Sequence, residues 1–283
     1  MPELPEVESA RATIEQSALH RRISDVDDTD TWVCRPHASG DLRAALVGRE
    51  LTGAFRQGKS MWCETSAVQG DHARHHEAGP DLGIHLGMSG RIVVSDVGGD
   101  TTEGGDWQGG RYGKGAQAVD RKPEWDRFTL TFADGGTLRL FDKRRLGRVR
   151  LDPPLDALGP DAEQVSKSDF AERVGRGRAP VKARLLDQSV VAGVGNLLAD
   201  ETLWQAKIAP TRRVDELSTD ELGHLHTALR TATTAAIRHG GVHTGDVIGY
   251  RKAGARCPRC DAEMRRDTVA GRTTWWCSQE QGG

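Results

Sequence analysis

The chain opens Met1-Pro2-Glu3. A small second residue such as Pro2 permits removal of the initiator methionine, which leaves a proline secondary amine followed at once by the Glu3 carboxylate. A neutral amine attacks an electrophilic carbon such as a sugar C1′ or an aldehyde. An α-amino group with a pKa of about 7.7–8.0 is roughly a tenth neutral at pH 7, against roughly 0.04% for a lysine near 10.4. The terminal amine thus starts about two orders of magnitude ahead of an unperturbed lysine, and Glu3 beside it can move protons. An ordinary solvated terminus looks the same in sequence, so the remaining residues decide.

A second chemical group lies at the other end. Cys257-Pro-Arg-Cys260 and Cys277, with 16 residues between Cys260 and Cys277, have the loop length of a zinc hairpin. Position 280, where a fourth cysteine would complete it, holds Glu280. Three readings stay open: zinc on three thiolates and Glu280, zinc on three thiolates and water, or a hairpin held by Trp275, Trp276 and apolar neighbours without metal. Cys34 and Cys63 lack partners at ligand spacing and read as buried thiols. Gly193-Val-Gly195, then Asn196 and a helical run, would suit anion capture, because glycines let backbone approach and a helix start offers unpaired N–H groups. A capped surface turn is the plainer alternative.

The elements that position these groups fall into three modules. Residues 1–150 are β-rich after a helix over Glu6–Leu19, with Val7, Ala10, Ile14 and Ala18 on one face. Strands are predicted at Leu51–Phe55, Ser60–Glu64, Leu82–Leu86, Arg91–Ser95, Arg127–Phe132 and Thr137–Phe141, with a hairpin turn at Ala133-Asp-Gly-Gly136. Gly98–Gly115 reads as a flexible excursion. A proline-rich linker, Asp152–Pro160, precedes a helical module over 151–244, with helices at Ser166–Val174, Val181–Gln188, Leu197–Gln205 and Thr219–His239. Residues 245–283 form a small zinc-finger-like β-hairpin. The fold class is α+β and multidomain: an N-terminal β-sandwich with a flanking helix, then the helices, then the hairpin.

Composition narrows the setting. No run approaches the roughly 20 apolar residues of a membrane span. The N-terminus carries acids where a secretory signal would carry bases, and five cysteines in 283 residues form no disulfide framework, so a cytoplasmic protein is expected. A net charge of −2 argues against nucleic acid unless the bases are segregated, and they are. One group is Arg139, Lys143, Arg144, Arg145, Arg148 and Arg150; a second is Arg173, Arg176, Arg178, Lys182 and Arg184; a third runs from Arg251 through Arg272. A single run is usually a solvated face, but three beside motifs that need an anion suggest a footprint for a phosphate backbone.

Met1-Pro-Glu-Leu-Pro-Glu-Val-Glu8 resembles the opening of the formamidopyrimidine-DNA glycosylase / endonuclease VIII family. Gln57-Gly-Lys59 resembles the family's lysine loop, and His85-Leu-Gly-Met-Ser-Gly90 its methionine-bearing loop. The segment from Leu185-Leu-Asp-Gln188 to Gly193-Val-Gly-Asn-Leu-Leu-Ala-Asp-Glu201 resembles its helix–two-turn–helix, and the tail its zinc finger. The resemblance runs nearly end to end.

It implies a monomeric base excision repair enzyme, a glycosylase and AP lyase, whose partner is duplex DNA carrying oxidised bases or abasic sites. Pro2 would form the Schiff base, Glu3 would shuttle protons, Glu6 would lie near the lesion, and Lys59 would contact phosphate. An enzyme that acts on a base must evert it, and Met88, Arg144 and Leu146 match the positions that fill the gap, Arg144 facing the orphaned base. Leu146 stands where the family usually has phenylalanine. Asn196 and Arg272 match backbone contacts, and Cys257, Cys260, Cys277 and Glu280 the structural zinc site. Leu4 points to the purine branch, whose substrates are 8-oxoguanine and formamidopyrimidines, whereas the short His239–Ile248 segment speaks against 8-oxoguanine as best substrate and admits ring-opened purines or oxidised pyrimidines. A non-catalytic lesion or abasic-site binder is the alternative from another class.

Overall fold

A computed structural model describes residues 2–68, 78–106 and 122–282. The chain divides into two compact units, Met1–Pro2 with Glu6–Leu155, and Glu3–Pro5 with Asp156–Gly283.

Helix α1 (Leu4–Ser17) leads into the first unit. The face predicted for it is the face it buries, with Val7, Ala10 and Ile14 at no more than 1% exposure. Each large side chain so buried contributes about 1.5–3 kcal/mol. Strand β1 (Ile23–Asp27) and helix α2 (Asp41–Leu46) follow, then β2 (Leu51–Gln57), β3 (Ser60–Thr65), β4 (Leu82–His85), β5 (Arg91–Ser95), β6 (Thr101–Gly105), β7 (Asp126–Phe132), β8 (Thr137–Phe141) and β9 (Arg148–Leu151). They form a five-stranded sheet ordered β1-β7-β8-β5-β6 and a four-stranded sheet ordered β2-β3-β4-β9. One apolar core joins α1 to both inner faces through Leu51, Met61 and Ile84 on one side and Ile92, Phe128 and Leu140 on the other. This is the expected β-sandwich with a flanking helix.

Two departures have local causes. Thr101–Gly105, inside the stretch read as a flexible excursion, is strand β6, and residues 107–115 of that stretch lie outside the described residues. Its composition hides it: a Cβ at Gly104 would sit 2.3 Å from the Ser9 carbonyl oxygen, so the strand needs glycine to lie against α1. Arg148–Leu151, read only as a basic run, is the edge strand β9, antiparallel to β4.

The second unit holds α3 (Lys167–Val174), α4 (Val181–Leu186), α5 (Asn196–Ala206) and α6 (Thr219–His239). Ser166 caps α3 by accepting from the Asp169 N–H. Ser218 and Glu221 form a complete capping box on α6, and Gly240 in the left-handed region ends it. Helix α4 stops two residues short of expectation because Asp187 turns extended and its carboxylate accepts from both N–H and hydroxyl of Ser189. The helices share a core of Leu4, Phe170, Leu185, Leu198, Leu225 and Leu229. A smaller cluster of Trp204, Val247, Met264 and Trp275 underlies the hairpin of β10 (Met264–Val269) and β11 (Arg272–Cys277). Among the described residues no helix is long and apolar enough to cross a membrane.

Candidate active site

In the first unit Pro2 and Glu6 are buried, Glu6 at 1% exposure. Lys59 sits in the β2–β3 turn, after Gly58 at φ 60°. Its charge reaches His85 at the end of β4: the crowded surroundings of His85, then Lys59 and Arg148, push the imidazole below its ordinary value although the ring reaches solvent. His85 was not singled out in sequence; a histidine heading the methionine loop was the available signal.

The loops that carry Met88 and Arg144–Leu146 are built around a residue the sequence shows only as a lone acid in a basic run. Asp142 is fully buried. Its Oδ1 accepts from the Ser89 hydroxyl (2.9 Å) and the Arg144 N–H (3.0 Å), and its Oδ2 from the N–H groups of Leu146 (2.7 Å) and Gly147 (2.6 Å). The carboxylate thus ties the Met88 loop to the Arg144–Leu146 loop. Gly87 permits the approach, since a Cβ there would lie 2.4 Å from the Leu146 carbonyl carbon. Arg144 and Leu146 point outward, Leu146 at 46% exposure, and the Arg144 guanidinium has no ion-pair partner among the described residues. Hydrogen bonds to a charged group contribute about 1.5–3 kcal/mol each, so Asp142→Ala is expected to lower stability by at least about 2 kcal/mol. It should also blur discrimination between bases placed opposite the lesion, read from urea unfolding and from cutting rates on duplexes that differ only in that base.

In the second unit Glu3 occupies the start of α5. Its Oε2 accepts from the N–H groups of Gly195 (2.9 Å) and Leu198 (3.0 Å), and its Oε1 from Leu197 (2.9 Å). The helix start therefore captures an anion as expected, but the anion is this carboxylate and not a phosphate. A charge complementary to the helix dipole holds it there. Gly195 is obligatory, because a Cβ would come within 2.3 Å of the Glu3 Cδ.

Asn196 donates its side-chain N–H to the Thr273 carbonyl (3.0 Å), so it faces the hairpin. Arg272 stands exposed at the hairpin tip, after a turn with Ala270 at φ 49° and Gly271 at φ 70°. The hairpin root is pinned by a buried network in which the Asp200 carboxylate binds Lys182 (2.6 Å), Arg251 (2.8 Å) and the Trp275 N–H (3.2 Å).

The second basic group is not the footprint that was expected. Lys182 is fully buried, while Arg173, Arg176, Arg178 and Arg184 pair with Asp169, Glu172, Asp215 and Asp187. Arg145 likewise pairs with Asp30 at 2.8 Å. Interleaved acids neutralise these bases locally.

The thiols of Cys257, Cys260 and Cys277 lie within 4.8 Å of one another, with Cys260 Sγ and Cys277 Sγ 3.4 Å apart. Burial raises Cys257, yet the Trp204 indole N–H and the N–H groups of Arg259 and Cys260 outweigh it and bring the thiol to about 7. Three soft sulfur donors at this spacing fit zinc. Glu280 donates its backbone N–H to Cys277 Sγ (3.3 Å), but its carboxylate is not in the cluster: it pairs with Arg259 at 2.5 Å and Lys207 at 3.5 Å, two cations that compete with any metal for its oxygens. Cys34 and Cys63 are the buried thiols expected, both pushed up to about 12 by burial.

The profile of the formamidopyrimidine-DNA glycosylase N-terminal domain matches residues 1–149, and that of the formamidopyrimidine-DNA glycosylase H2TH domain matches residues 157–247. The chain belongs to the formamidopyrimidine-DNA glycosylase family. Members of this family are DNA glycosylases and AP lyases, and the chain is accordingly an enzyme of that kind. A formamidopyrimidine-DNA glycosylase of Parafrankia sp. is 32% identical over 98% of this chain and 96% of its own length. One from Arabidopsis thaliana is also 32% identical, over 84% of this chain but 58% of its own length. The crystal structure of the Lactococcus lactis enzyme with DNA containing an abasic site superposes with a TM-score of 0.78 at 28% identity, over 99% of this chain and all of that one.

Proposed function

We propose that the chain excises oxidised purines, formamidopyrimidines and 8-oxoguanine, from duplex DNA and then cuts the strand, acting as a cytoplasmic monomer. The observation that carries this reading is the Glu3 carboxylate, fixed by three backbone N–H groups directly after the residue-2 amine. Binding alone would need neither a free proline amine nor an immobilised proton carrier beside it.

The chemistry follows from those two groups. With Met1 removed, the Pro2 nitrogen lone pair forms a bond to C1′ of the damaged nucleotide, the glycosidic bond electrons leave with the base, and the proton that the Pro2 nitrogen gives up neutralises the departing base. Glu3 delivers a proton toward the sugar ring as it opens, and the Pro2 nitrogen becomes the iminium of a Schiff base. Loss of the C2′ proton then expels the 3′ phosphate, and a second elimination expels the 5′ phosphate. Lys59 and Arg272 hold phosphates, Met88 and Leu146 occupy the vacated stack, Arg144 meets the orphaned base, and Glu6 faces the lesion. Asn196 braces the hairpin that presents Arg272. In this reading residues 1–150 carry the chemistry, 151–244 the helical DNA-binding module and 245–283 the finger.

Cys257, Cys260 and Cys277 would hold one zinc ion, with the fourth position left to water. Zinc supplies a structural cross-link there. Because Glu280 is engaged by Arg259 and Lys207, a chelator is expected to strip zinc readily from the wild type. Glu280→Cys should retain it at least about tenfold better by supplying the usual fourth thiolate, as measured by metal content after dialysis against graded chelator.

Compact turns at Val242–Thr244 and Ile248–Tyr250, in the short segment before the hairpin, favour a second reading in which oxidised pyrimidines are also taken. Duplexes carrying a formamidopyrimidine, 8-oxoguanine, an oxidised pyrimidine, an abasic site or no damage separate these. Cutting of the formamidopyrimidine duplex, with eliminated ends and an intact undamaged control, is the expected result. Tight binding of all damaged duplexes with no cutting would replace the enzyme by a sensor.

A further inference from the structure

Arg148 and Arg150 stand two residues apart on the edge strand β9, so their side chains leave one face while Val149 between them is fully buried in the core. Within the first unit they line a cavity of about 400 Å³ together with His85, Leu146, Pro153 and Pro154, and among the described residues no carboxylate borders it. The Nε atoms of both arginines are buried without a hydrogen-bond partner among the described residues. Arg35, folded over the Trp32 ring at 3.9 Å, adds its charge: burial, then Arg35 and Arg150, pull the Arg148 guanidinium below its ordinary value.

Unpaired donors and mutually repelling cations in one recess cost stability unless an anion answers them. Neighbouring guanidinium forks match the oxygens of a phosphodiester. The recess is larger than a phosphate, and its wall also carries Ser60, Met61 and the two proline rings, against which a base lies flat. Trp32, 53% exposed beside Arg35, adds an aromatic edge to the same cationic cluster.

We propose that this cavity is a second nucleic-acid subsite, which holds one unpaired nucleotide of the DNA by its phosphate on Arg148 and Arg150 and by its base on Pro153 and Pro154. It rests on the reading that the substrate is DNA. The enzyme would then grip duplexes with an extrahelical nucleotide at one set distance from the lesion more tightly than fully paired ones.

The test is a set of abasic-analogue duplexes in which a single unpaired thymidine is stepped along each strand, with the paired parent as reference. Affinity is measured by anisotropy across a salt series. The wild type should bind one position at least about fivefold more tightly than the parent, the scale of one stacked base. Arg148→Ala/Arg150→Ala should erase that preference and reduce the slope of log affinity against log salt by about one, for the single phosphate the two forks share. Arg148→Lys/Arg150→Lys should keep most of the slope and lose most of the preference, since an ammonium lacks the planar fork. Melting curves of both variants confirm folding. No preferred position in the wild type, or a preference that survives the alanine pair, overturns the proposal; so does a reduced slope without a preference, which leaves a phosphate contact and no nucleotide site. Borohydride trapping of the wild type on the abasic duplex tests the functional reading separately, and the affinity series decides the cavity whichever way the trap falls.

Discussion

Glu3→Gln should slow release of a formamidopyrimidine base by about 10²–10⁴, the usual worth of a positioned proton carrier. The carboxylate accepts from Leu197 on one oxygen and from Gly195 and Leu198 on the other. An amide of the same shape must turn its NH₂ toward at least one of those N–H donors, so it loses orientation as well as basicity. The accompanying loss of stability is about 1–3 kcal/mol, the cost of leaving a buried donor unpaired. Single-turnover rates well below the melting temperature therefore separate catalysis from folding. Gly195→Ala should produce a similar slowing without touching the carboxylate chemically, because its Cβ would displace the Glu3 Cδ from 2.3 Å away. Rates within tenfold of wild type for Glu3→Gln would remove Glu3 from the chemistry and leave it a helix cap.

Asp200→Ala should destabilise the second unit by about 3–5 kcal/mol, the range for breaking a buried ion pair at one partner. Lys182 and Asp200 are both fully buried, and Lys182 also donates to Thr274 (2.8 Å) on β11. Without the carboxylate, an ammonium stays buried with one hydroxyl for company, and Arg251 and the Trp275 N–H lose their acceptor. Lys182→Met/Asp200→Leu should recover much of the stability, since well-packed apolar pairs replace buried ion pairs at little cost. It should not recover the seating of the hairpin, and hence of Arg272, so weaker DNA binding with a shallower salt slope is expected from the pair. Burial, opposed by Asp200, sets the Lys182 ammonium below its ordinary value. The unfolded chain then holds that proton more tightly, so this group's contribution to stability rises as pH climbs toward the ordinary lysine value near 10.4. Thermal melting and proteolysis of the hairpin read the effect. An Asp200→Ala chain that melts with the wild type would show that the network holds nothing.

What the sequence makes legible depends on how local the cause is. Thr219–His239 was readable to the residue because its start is a capping box and its end a left-handed glycine, both set by neighbours in sequence. Strand β9 was not, since of Arg148-Val-Arg-Leu151 only Val149 is fully buried, and an edge strand needs little more. The chemical identity of Pro2 and Glu3 was visible at the first three residues. The arrangement that immobilises Glu3 was not, because its donors lie 192 to 195 residues away. Asp142 shows the same limit: four donors from two loops converge on it, and nothing in Asp142-Lys-Arg-Arg announces a buried hub. Charge runs misled for a related reason. The second basic group reads as a footprint until its side chains are seen paired with acids at helical spacing, as in Arg173–Asp169 and Arg176–Glu172.

The central claim is that the residue-2 amine is the nucleophile. Purified protein, shown by intact mass to lack Met1, is incubated with duplex DNA bearing an abasic site in the presence of borohydride, then digested and mapped. The account predicts a reduced covalent adduct on the N-terminal peptide, fragmenting to place the deoxyribose on the Pro2 nitrogen, and an adduct yield that collapses when that amine is blocked by reductive methylation. An adduct on a lysine side chain, or no adduct under conditions where the duplex is bound and cut, would contradict it.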